Sequence, residues 1–560
     1  MLDVRTDLRT EEPNESVRAT ALHDGAHGQA CPLASTCDWR YEARYRGTMH
    51  RRSMEREALL KKERAELRKK NRELLLEIED LNAKLALQNK LLFAASTEKG
   101  ASSGVDPAVA PKAKSRRRRG HQPGARGHGR RPTGHLPKVT EDHDLPEEAK
   151  RCGRCGMPFA PFPTDEESEQ IEIEVRAYRR VHRRKKYRCT CGCPGTPGIV
   201  TAPLPPAVIP KGRFGVSIWT SILIDKFHLL RPTYRLVKDF ASHDLFVSQG
   251  TITDGLRRLG PLFEPVYLRL REKCLTEDHW HADETGWLVF EKTLDGRKGR
   301  RRYLWVFRSP SAAVYVLDRS RGAEVPRAFF AGRAAGIISA DRYSAYKSLM
   351  KDGLVLVAFC WAHVRRDFLR VRDGYPKHAS WAQAWVDRIS MLYKLNRRRL
   401  AAASEEEAFA DANEALRLYL MEMETIREQE LLADPRQGRK KVLESLLRHW
   451  DGLTLFFGFP EIPLDNNEAE RLLRSPVVGR KNYYGSGTEW SGRFASMMFS
   501  IFQTLTIWDL EPRRWLTLYL DECARRRGRP PTDVDPYLPW NLSEEDGQRL
   551  SVKRWTVDTT

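Results

Sequence analysis

The sequence lacks any apolar run that could cross a membrane. No stretch approaches the roughly 20 consecutive apolar residues that span a bilayer, and the first residues, MLDVRTDLRTEEPNESV, have no apolar signal core. These absences predict a cytoplasmic protein. Cysteine is sparse and uneven, because five of the ten cysteines fall between Cys152 and Cys193. In a cytoplasmic protein such a cluster indicates a metal site rather than disulfide bonds.

Acidic residues are too few to balance the basic ones. The 560 residues include 96 Lys and Arg against 75 Asp and Glu, which gives a formal net charge of +21. This excess predicts a polyanionic partner, most commonly nucleic acid. A basic surface that only faces solvent is the alternative. The chain is too long for one core, so several domains are expected.

Proline is absent from residues 41–95, where leucine recurs at every seventh position. The repeating residues are Leu60, Leu67, Leu74 and Leu81. This spacing is typical of a leucine-zipper coiled coil, and Asn71 at an a position favours dimers. A single amphipathic helix that packs on its own protein is the alternative. Residues 1–40 show little periodicity and are predicted to be poorly ordered.

Acids are missing from most of residues 96–140, since none occurs between Asp106 and Glu141. Glycine, proline and histidine separate the basic residues there. Such a segment cannot bury a core, so it is predicted to be a mobile basic arm that neutralises DNA phosphates. The predicted contacts are Arg116, Arg117, Arg118, Arg119, Arg130 and Arg131. A solvated linker without a partner is the alternative.

The cysteine cluster lies in residues 141–200 and predicts a small zinc-binding knuckle. A Cys-x-x-Cys pair, a run with strand character and a second group of cysteines follow one another, as in tetrahedral thiolate sites for Zn²⁺. The predicted ligands are Cys152, Cys155, Cys189 and Cys193. Cys191 competes for the fourth place, and reduced cysteines without metal are the alternative.

Residues 201–272 have helical periodicity, and Ser248 can cap a helix start. Two helices and a turn would allow a helix-turn-helix DNA-binding region, with plain helical packing as the alternative. From residue 278 the apolar period changes from 3.6 to 2. The predicted order is three strands, helix, strand, helix and strand, which is the order of a ribonuclease-H-like α/β domain.

This catalytic domain is placed at residues 273–524, with a helical insertion at about 375–460 and a loosely structured tail at 525–560. Asp283 lies mid-strand between apolar neighbours, and Asp341 ends the fourth strand. In a ribonuclease-H-like domain these positions are adjacent on neighbouring strands. Two adjacent carboxylates repel each other, and a divalent cation relieves that repulsion.

Several motifs together resemble the transposases of the insertion sequence 66 family. They are the leucine-rich helix ending LLFAASTEKG, the arm RGHQPGARGHGRRPTGHLP, the cysteine knuckle, HADETGW, ADRYSAY, CWAHVRRDF and DNNEAERLLRSPVVGRKNYYGSGTEWSGRFA. The likeness covers about residues 60–520. It implies an Asp-Asp-Glu catalytic set, and the matching residues are Asp283, Asp341 and Glu470. Arg342 departs from the family pattern and would either weaken metal binding or grip a phosphate.

The stretch DNNEAERLL is predicted to start a helix at its Asp and Asn residues, with Glu470 in the first turns. A lone acid amid basic groups suits a metal site inside a DNA groove, and a helix salt bridge is the alternative. Glu468 competes for this role but lies off the helix face that carries Glu470.

Two other residues are weaker candidates. Glu284 should point away from Asp283, and His363 is either a DNA or leaving-group contact or a structural residue. The predicted DNA contacts are Arg365, Arg366, Arg471, Arg474, Arg480 and Lys481.

The resemblance implies a DNA transposase with two Mg²⁺ (or Mn²⁺) ions about 3.5–4 Å apart. The ions would serve cleavage at the terminal inverted repeats of the element and transfer of the freed 3′-OH to target DNA. The implied partners are double-stranded DNA, a second copy of the chain and accessory proteins of the same element, in the cytoplasm at the nucleoid. The alternatives are a same-fold nuclease and a catalytically inactive, zinc-dependent DNA-binding regulator derived from a transposase.

Overall fold

A computed structural model describes most of the chain as two units, Met1–Ala95 and Ser96–Thr560. The described residues are 38–93, 137–161, 168, 170–190, 194–195, 197–290, 300–332, 335–353, 355–433, 435 and 437–552. Outside them lie the predicted contacts Arg116, Arg117, Arg118, Arg119, Arg130 and Arg131 and the predicted or competing zinc ligands Cys191 and Cys193. No helix in the described ranges is both long and apolar enough to cross a membrane.

The described part of the first unit is one helix, α1 (Asp38–Phe93). Its 56 residues rise about 84 Å at 1.5 Å per residue. Ion pairs such as Glu57 with Lys61, at 2.7 Å and one turn apart, support the helix. The heptad leucines are not covered, and Leu74 is 49% exposed. The exposed heptad leucines, from Leu60 to Leu81, are compatible with the predicted coiled coil, which stays a prediction.

The second unit contains the remaining described helices and all the described strands. The helices are α2 (Val216–Leu223), α3 (Thr233–Ala241), α4 (Gln249–Thr276), α5 (Glu324–Phe329), α6 (Ser344–Lys351), α7 (Trp361–Gly374), α8 (Ala379–Ala401), α9 (Glu406–Leu432), α10 (Gln437–Arg448), α11 (Trp450–Gly458), α12 (Asn467–Tyr483), α13 (Glu489–Ile507), α14 (Pro512–Arg525) and α15 (Glu544–Leu550). The strands are β1 (Lys186–Arg188), β2 (Ile199–Thr201), β3 (His279–Val289), β4 (Arg300–Arg308), β5 (Ala313–Asp318), β6 (Ile337–Ala340), β7 (Leu356–Phe359) and β8 (Gly485–Ser486).

The described residues of this unit form two sheets. β1 and β2 form a small antiparallel hairpin, and the larger sheet has the order β5-β4-β3-β6-β7, with β8 beside the end of β3. β3, β4 and β5 are antiparallel neighbours, whereas β6 and β7 run parallel to β3. The strands β6 and β7 are short and mainly apolar, and all four residues of β6 (IISA) are buried. The mixed α/β class expected from the sequence is therefore confirmed.

Helix α13 covers the outer edge of this sheet. The edge strand β5 has backbone N–H groups without a strand partner on that side, and hydroxyls of α13 accept them. Ser500 Oγ accepts from Tyr315 N at 2.8 Å, and Thr504 Oγ1 accepts from Ala313 N at 3.1 Å. All four residues are buried. These bonds satisfy the edge and block its pairing with another chain.

Helix α4 packs along the same layer. Its predicted cap is present, because Ser248 Oγ accepts from Thr251 N at 3.1 Å. The buried face of α4 includes Gly255, which lies against the ring of Trp219. The helix-turn-helix interpretation of this region and plain helical packing both stay predictions.

The four helices α8 to α11 occupy residues 379–458, where the helical insertion was expected. Arg399 of α8 is fully buried and donates to the carbonyls of Phe456 and Phe457, at 2.9 and 3.1 Å. Those carbonyls belong to the C-terminal end of α11, where backbone acceptors lack helical partners. Arg399 therefore ties the first helix of the group to the last.

The C-terminal segment is more ordered than its sequence indicated. Residues 526–552 were expected to be loosely structured, but Val534, Leu538 and Leu550 are buried. Trp515 Nε1 also donates to the carbonyl of Tyr537 at 2.8 Å. The expectation was wrong for this segment because widely spaced apolar residues have no period, yet each one packs on the core.

Candidate active site

The candidate active site lies where β3 and β6 run side by side. Their parallel register pairs His281 with Ser339. Two residues further on, Asp283 therefore lies level with Asp341, which directly follows β6. On its other side Asp283 pairs with Val306 of β4. The structure thus places the two predicted aspartates at neighbouring positions of neighbouring strands.

Asp283 is held in an environment that disfavours its charge. Burial raises the pKa of Asp283 to about 8, and the charges of Glu284, Asp341 and Glu470 act in the same direction. One bond opposes them, since Asp283 Oδ1 accepts from Glu284 N at 2.8 Å. Because the charges of Asp341 and Glu470 are both felt at Asp283, the three predicted acids share one region of the molecule.

Asp341 begins the loop that leads into α6. Its Oδ1 accepts from Tyr343 N at 2.9 Å, in a local side-chain turn. The residue is half-buried at the carboxyl end of β6. This bond fixes where the loop leaves the strand, and hence where the carboxylate stands beside β3.

Glu470 lies in the first turn of α12 and faces α7. Its Oε1 is 3.7 Å from His363 Nε2 and 3.9 Å from Arg366 Nη2. Both distances exceed hydrogen-bond length, and Oε1 is buried without a hydrogen-bond partner. A buried carboxylate oxygen in this state is costly. A bound cation would satisfy it.

Two other acids close to this region are occupied by their own partners. Glu284 is 2% exposed, with Oε1 bound to Arg321 at 2.7 Å and Oε2 accepting from the Tyr346 hydroxyl at 2.9 Å. Glu468 forms an ion pair with Arg308 at 3.0 Å. These contacts agree with leaving both glutamates out of the predicted metal site.

The residues present fit a divalent cation in their chemistry. In the described part of the chain, no three His, Cys, Asp or Glu side chains are gathered closely enough to hold a metal ion. Asp283 and Asp341 each accept a backbone N–H, whereas the Oε1 atom of Glu470 has no hydrogen-bond partner. Oxygen ligands from carboxylates are the donors that Mg²⁺ prefers. The donor set, the raised pKa of Asp283 and the unpaired Glu470 oxygen therefore suit such an ion.

Two helices, α7 and α12, begin near the predicted acids. The N–H of Trp361, the first residue of α7, donates to the carbonyl of Leu464 at 2.8 Å, just before α12. The N–H of Asn466 in turn donates to Cys360 Sγ at 3.3 Å. Helix N-termini carry partial positive charge and favour anions such as phosphate. Both N-termini lie next to the predicted acids.

Basic side chains extend from these helix starts. Arg365 and Arg366 are exposed in the first turns of α7, and Arg471, Arg474 and Lys481 are exposed along α12. The α12 residues recur at helical spacing and so share one face of the helix. The sequence predicts that these solvent-facing basic residues contact DNA phosphates, and those contacts stay predictions.

Two arginines have intramolecular partners that the sequence did not indicate. Arg480 donates to the carbonyl of Gly286 and so anchors α12 on β3. The DNA contact predicted for Arg480 stays a prediction. Arg342 forms an ion pair with Asp367 and donates to Ser445 Oγ at 2.9 Å. Its charge is therefore compensated, which argues against a weakened metal site.

A second candidate metal centre is the cysteine knuckle. Cys152 N donates to the Met157 carbonyl at 2.9 Å, and Gly156 N donates to the Cys152 carbonyl at 2.8 Å. Gly156 has a φ of +71°, which favours glycine. The N–H groups of Arg154 and Cys155 lower the pKa of the Cys152 thiol. This tight turn promotes the thiolate, which is the form that binds metal.

The second half of the knuckle is described only in part. Cys189 directly follows β1, and its N–H donates to the carbonyl of Gly198 at 2.9 Å, beside β2. A hairpin with a cysteine at its end is the arrangement expected for the second pair of ligands. The choice between Cys191 and Cys193 falls outside the described ranges.

The residue that sequence reasoning missed is Asn466. The helix was expected to start with capping by Asp465, Asn466 or Asn467, and α12 does begin at Asn467. Asp465 Oδ1 accepts from Asn467 N at 3.1 Å, but the Asn466 side chain makes no cap bond. It is buried against β3 instead. An Asn before a helix is usually interpreted as a capping residue, and no periodic pattern in the sequence indicates the direction of its side chain.

Comparison with known proteins places the chain in a family. The model of the transposase IS66 family matches residues 211–494, about half of the chain and including all three predicted acids. Two uncharacterised proteins of Sinorhizobium fredii (strain NBRC 101917 / NGR234) are similar over most of their length. y4hP is 24% identical over 421 residues, 70% of this chain and 74% of that protein. y4jD is 26% identical over 445 residues, 76% of this chain and 83% of that protein. The chain belongs to the IS66 family of transposases.

Proposed function

We propose that this transposase cleaves and joins DNA with a two-metal site formed by Asp283, Asp341 and Glu470. The observation that supports it most is that three acids, from β3, from the residue after β6 and from α12, lie in one region of the fold. The Oε1 atom of Glu470 is buried there without a hydrogen-bond partner. The strand order β5-β4-β3-β6-β7, with three antiparallel strands followed by two parallel ones, supports a ribonuclease-H-like core.

In this proposal each part of the site has a separate task. Asp283, Asp341 and Glu470 hold the cations, and His363 and Arg366 orient the Glu470 carboxylate. When bound, the cations stabilise the attacking and leaving oxygens of an in-line phosphoryl transfer. The N-termini of α7 and α12 and the exposed arginines beside them bind the flanking phosphates.

The outer modules are proposed to recognise and pair the ends of the element. The cysteine knuckle would hold Zn²⁺ through Cys152, Cys155, Cys189 and one of Cys191 and Cys193. The basic arm would add sequence-independent affinity for phosphates. The exposed leucine stripe of α1 would pair with a second copy of the chain, so that two DNA ends can be held together.

The test uses the purified chain with labelled DNA that carries the ends of its own element. The wild-type protein is compared with Asp283→Asn, Asp341→Asn and Glu470→Gln in Mg²⁺ or Mn²⁺. The matched control is Glu468→Gln, whose parent residue is on the same helix turn and pairs with Arg308. We expect cleavage and joining by the wild type and the control, and DNA binding without cleavage by the three variants.

Other outcomes would assign a different function. Cleavage without joined products would indicate a nuclease of the same fold. Tight DNA binding by a wild type that stays inert after the accessory proteins of the element are added would indicate an inactive regulator. Cleavage that survives all three substitutions would remove the proposed site.

A further inference from the structure

The buried start of α12 is built differently from an ordinary helix start. Asn466 is the N-cap residue, and asparagine is among the best capping residues. Its side chain nevertheless makes no cap bond and is only 1% exposed. A buried amide side chain that makes no cap bond needs other hydrogen-bond partners, because an unpaired buried amide is costly.

The Asn466 amide binds β3 immediately before Asp283. Its Nδ2 donates to the carbonyl of Ala282 at 2.8 Å, and its Oδ1 is 3.0 Å from Nδ1 of His281. Both halves of the amide are therefore used, and both contact residues within two positions of the first predicted acid. The backbone carbonyl of Asn466 accepts from the N–H of Glu470 at 3.2 Å.

The bonding pattern fixes the orientation of the amide. The Ala282 carbonyl can only accept, so it must face the NH₂ group of Asn466. The Oδ1 atom then faces His281, whose Nδ1 must carry the proton and donate it. His281 therefore holds one tautomer, and its orientation is set by α12.

The same row of polar side chains continues to β6. The rings of His279 and His281 are in contact, with centroids 4.7 Å apart. Nε2 of His279 is 2.9 Å from the hydroxyl of Ser339, two residues before Asp341. One row of buried and half-buried side chains thus links α12, β3 and β6, which contain or directly precede the three acids. The Asn466 N–H adds Cys360, at the start of the helix that contains His363.

We propose that Asn466 is a positioning residue, which sets Glu470 against Asp283 by bridging α12 to the backbone of β3. The inference rests on the proposed function of the site. Asn466 is buried away from solvent and acts through Glu470, which its carbonyl binds, rather than on DNA. Without the bridge, α12 can shift on β3, and a shift of about 1 Å can lower a reaction rate about 100-fold.

The test compares Asn466→Ser and Asn467→Ala on the same DNA ends. Serine is a good helix cap, so Asn466→Ser keeps a start for α12 while removing the bridge to Ala282 and His281. Asn467 is the adjacent amide with an exposed side chain, and its substitution controls for changes at the helix start. Cleavage rates are measured in Mg²⁺ and in Mn²⁺, together with DNA affinity and the thermal unfolding midpoint.

We expect Asn466→Ser to bind DNA as the wild type does and to cleave about 100-fold more slowly in Mg²⁺. In Mn²⁺ the loss should be at least about tenfold smaller, because Mg²⁺ demands near-ideal octahedral geometry and Mn²⁺ tolerates a wider range. Asn467→Ala should match the wild type in both metals. A residue that only stabilised the fold would lower both rates equally, in step with the unfolding midpoint.

Equal losses in the two metals, or wild-type rates in Asn466→Ser, would overturn the inference. Asn466→Asp is a second test, because it keeps the size of the side chain but in its ionised form cannot donate to the Ala282 carbonyl, and the ionised form should also lose Mg²⁺-dependent cleavage. Failure of the proposed function is recognised separately. In that case Asp283→Asn would cleave normally, whereas failure of this inference alone leaves Asp283 essential and Asn466 dispensable.

Discussion

Asp283 shows at the scale of one residue how a site can be built at the expense of stability. A carboxyl group in the middle of a strand loses hydration, and Glu284, Asp341 and Glu470 add like charge around it. Each effect favours the protonated form. A structural role would be better served by an apolar residue, so the acid is explained by what it can bind.

The pKa of Asp283 predicts how stability depends on pH. Between its unfolded pKa of about 4 and its folded pKa of about 8, the folded state keeps a proton that the unfolded state has released. The free energy of unfolding should therefore fall as pH rises from 5 to 8, by at most about 1.4 kcal/mol per pH unit from this residue. Urea unfolding is measured in buffer with Zn²⁺ and without Mg²⁺.

Asp283→Asn is the comparison for this measurement. The amide does not titrate, so its stability should fall less steeply over the same pH range. Adding Mg²⁺ should stabilise the wild type more at pH 8 than at pH 6, because the cation binds the ionised form. Parallel pH profiles for the two proteins would contradict the buried, protonated Asp283.

Single residues also show which parts of the site could be predicted from the sequence. Asp283 and Asp341 stood out as acids at the middle and end of apolar strands, and Glu284 was assigned to the opposite side by the period of a strand. The bonds of Glu284 to Arg321 and Tyr346 agree with that assignment. Asn466 could not be found in this way, because its importance depends on a contact with Ala282, 184 residues away.

At the scale of elements, α4 contains one glycine that packs tightly against an aromatic ring and one that does not. A Cβ atom on Gly255 would lie 1.9 Å from the ring of Trp219, whereas one on Gly260 would be 3.8 Å from Phe494. Both glycines lie inside α4, so both carry the same entropic cost relative to alanine. Only Gly255 has a packing reason to be glycine.

The two glycines therefore predict different effects of one substitution. Gly255→Ala should destabilise the protein by about 1–3 kcal/mol, because Trp219 must move. Gly260→Ala should be close to neutral, because the gain in helix propensity is offset by the steric restriction that Pro261 places on a preceding residue with a Cβ. Urea unfolding of the two variants measures this. Equal effects at both positions would show that α4 does not pack on Trp219 as described.

Elements with a strong period were predictable, and their assembly was less so. The strand pattern after residue 278 and the helix at Glu324–Phe329 agree with the structure, because burial on one side gives a period. The C-terminal segment after α14 has no period and was misjudged. The hydroxyl bonds from α13 to β5 join residues far apart in sequence and leave no local signal.

At the scale of the whole molecule, the net charge of +21 fits a protein that handles DNA. The basic residues are not spread evenly, since many lie in the arm, near the knuckle and along α7 and α12. Assembly is proposed to come from α1, whose heptad leucines are exposed.

Adjacent leucines of α1 provide a matched test of that assembly. Leu74 is a heptad position and Leu75 is not, although they are 49% and 61% exposed. Leu74→Glu should place a charge in the seam of the coiled coil and weaken dimers by at least about tenfold, whereas Leu75→Glu should have a small effect. Light scattering coupled to size exclusion reports the mass. A wild type that is monomeric at every concentration would contradict the zipper.

The most direct test of the central claim is metal rescue at Asp283. Asp283→Cys replaces an oxygen ligand by a thiolate, which binds Mg²⁺ poorly and softer ions better. We predict that this variant fails to cleave end DNA in Mg²⁺ and regains cleavage in Mn²⁺ or Cd²⁺, while Glu468→Cys cleaves in Mg²⁺ as the wild type does. Wild-type cleavage by Asp283→Cys in Mg²⁺, or no rescue of the folded variant by any of these ions, would contradict Asp283 as a metal ligand.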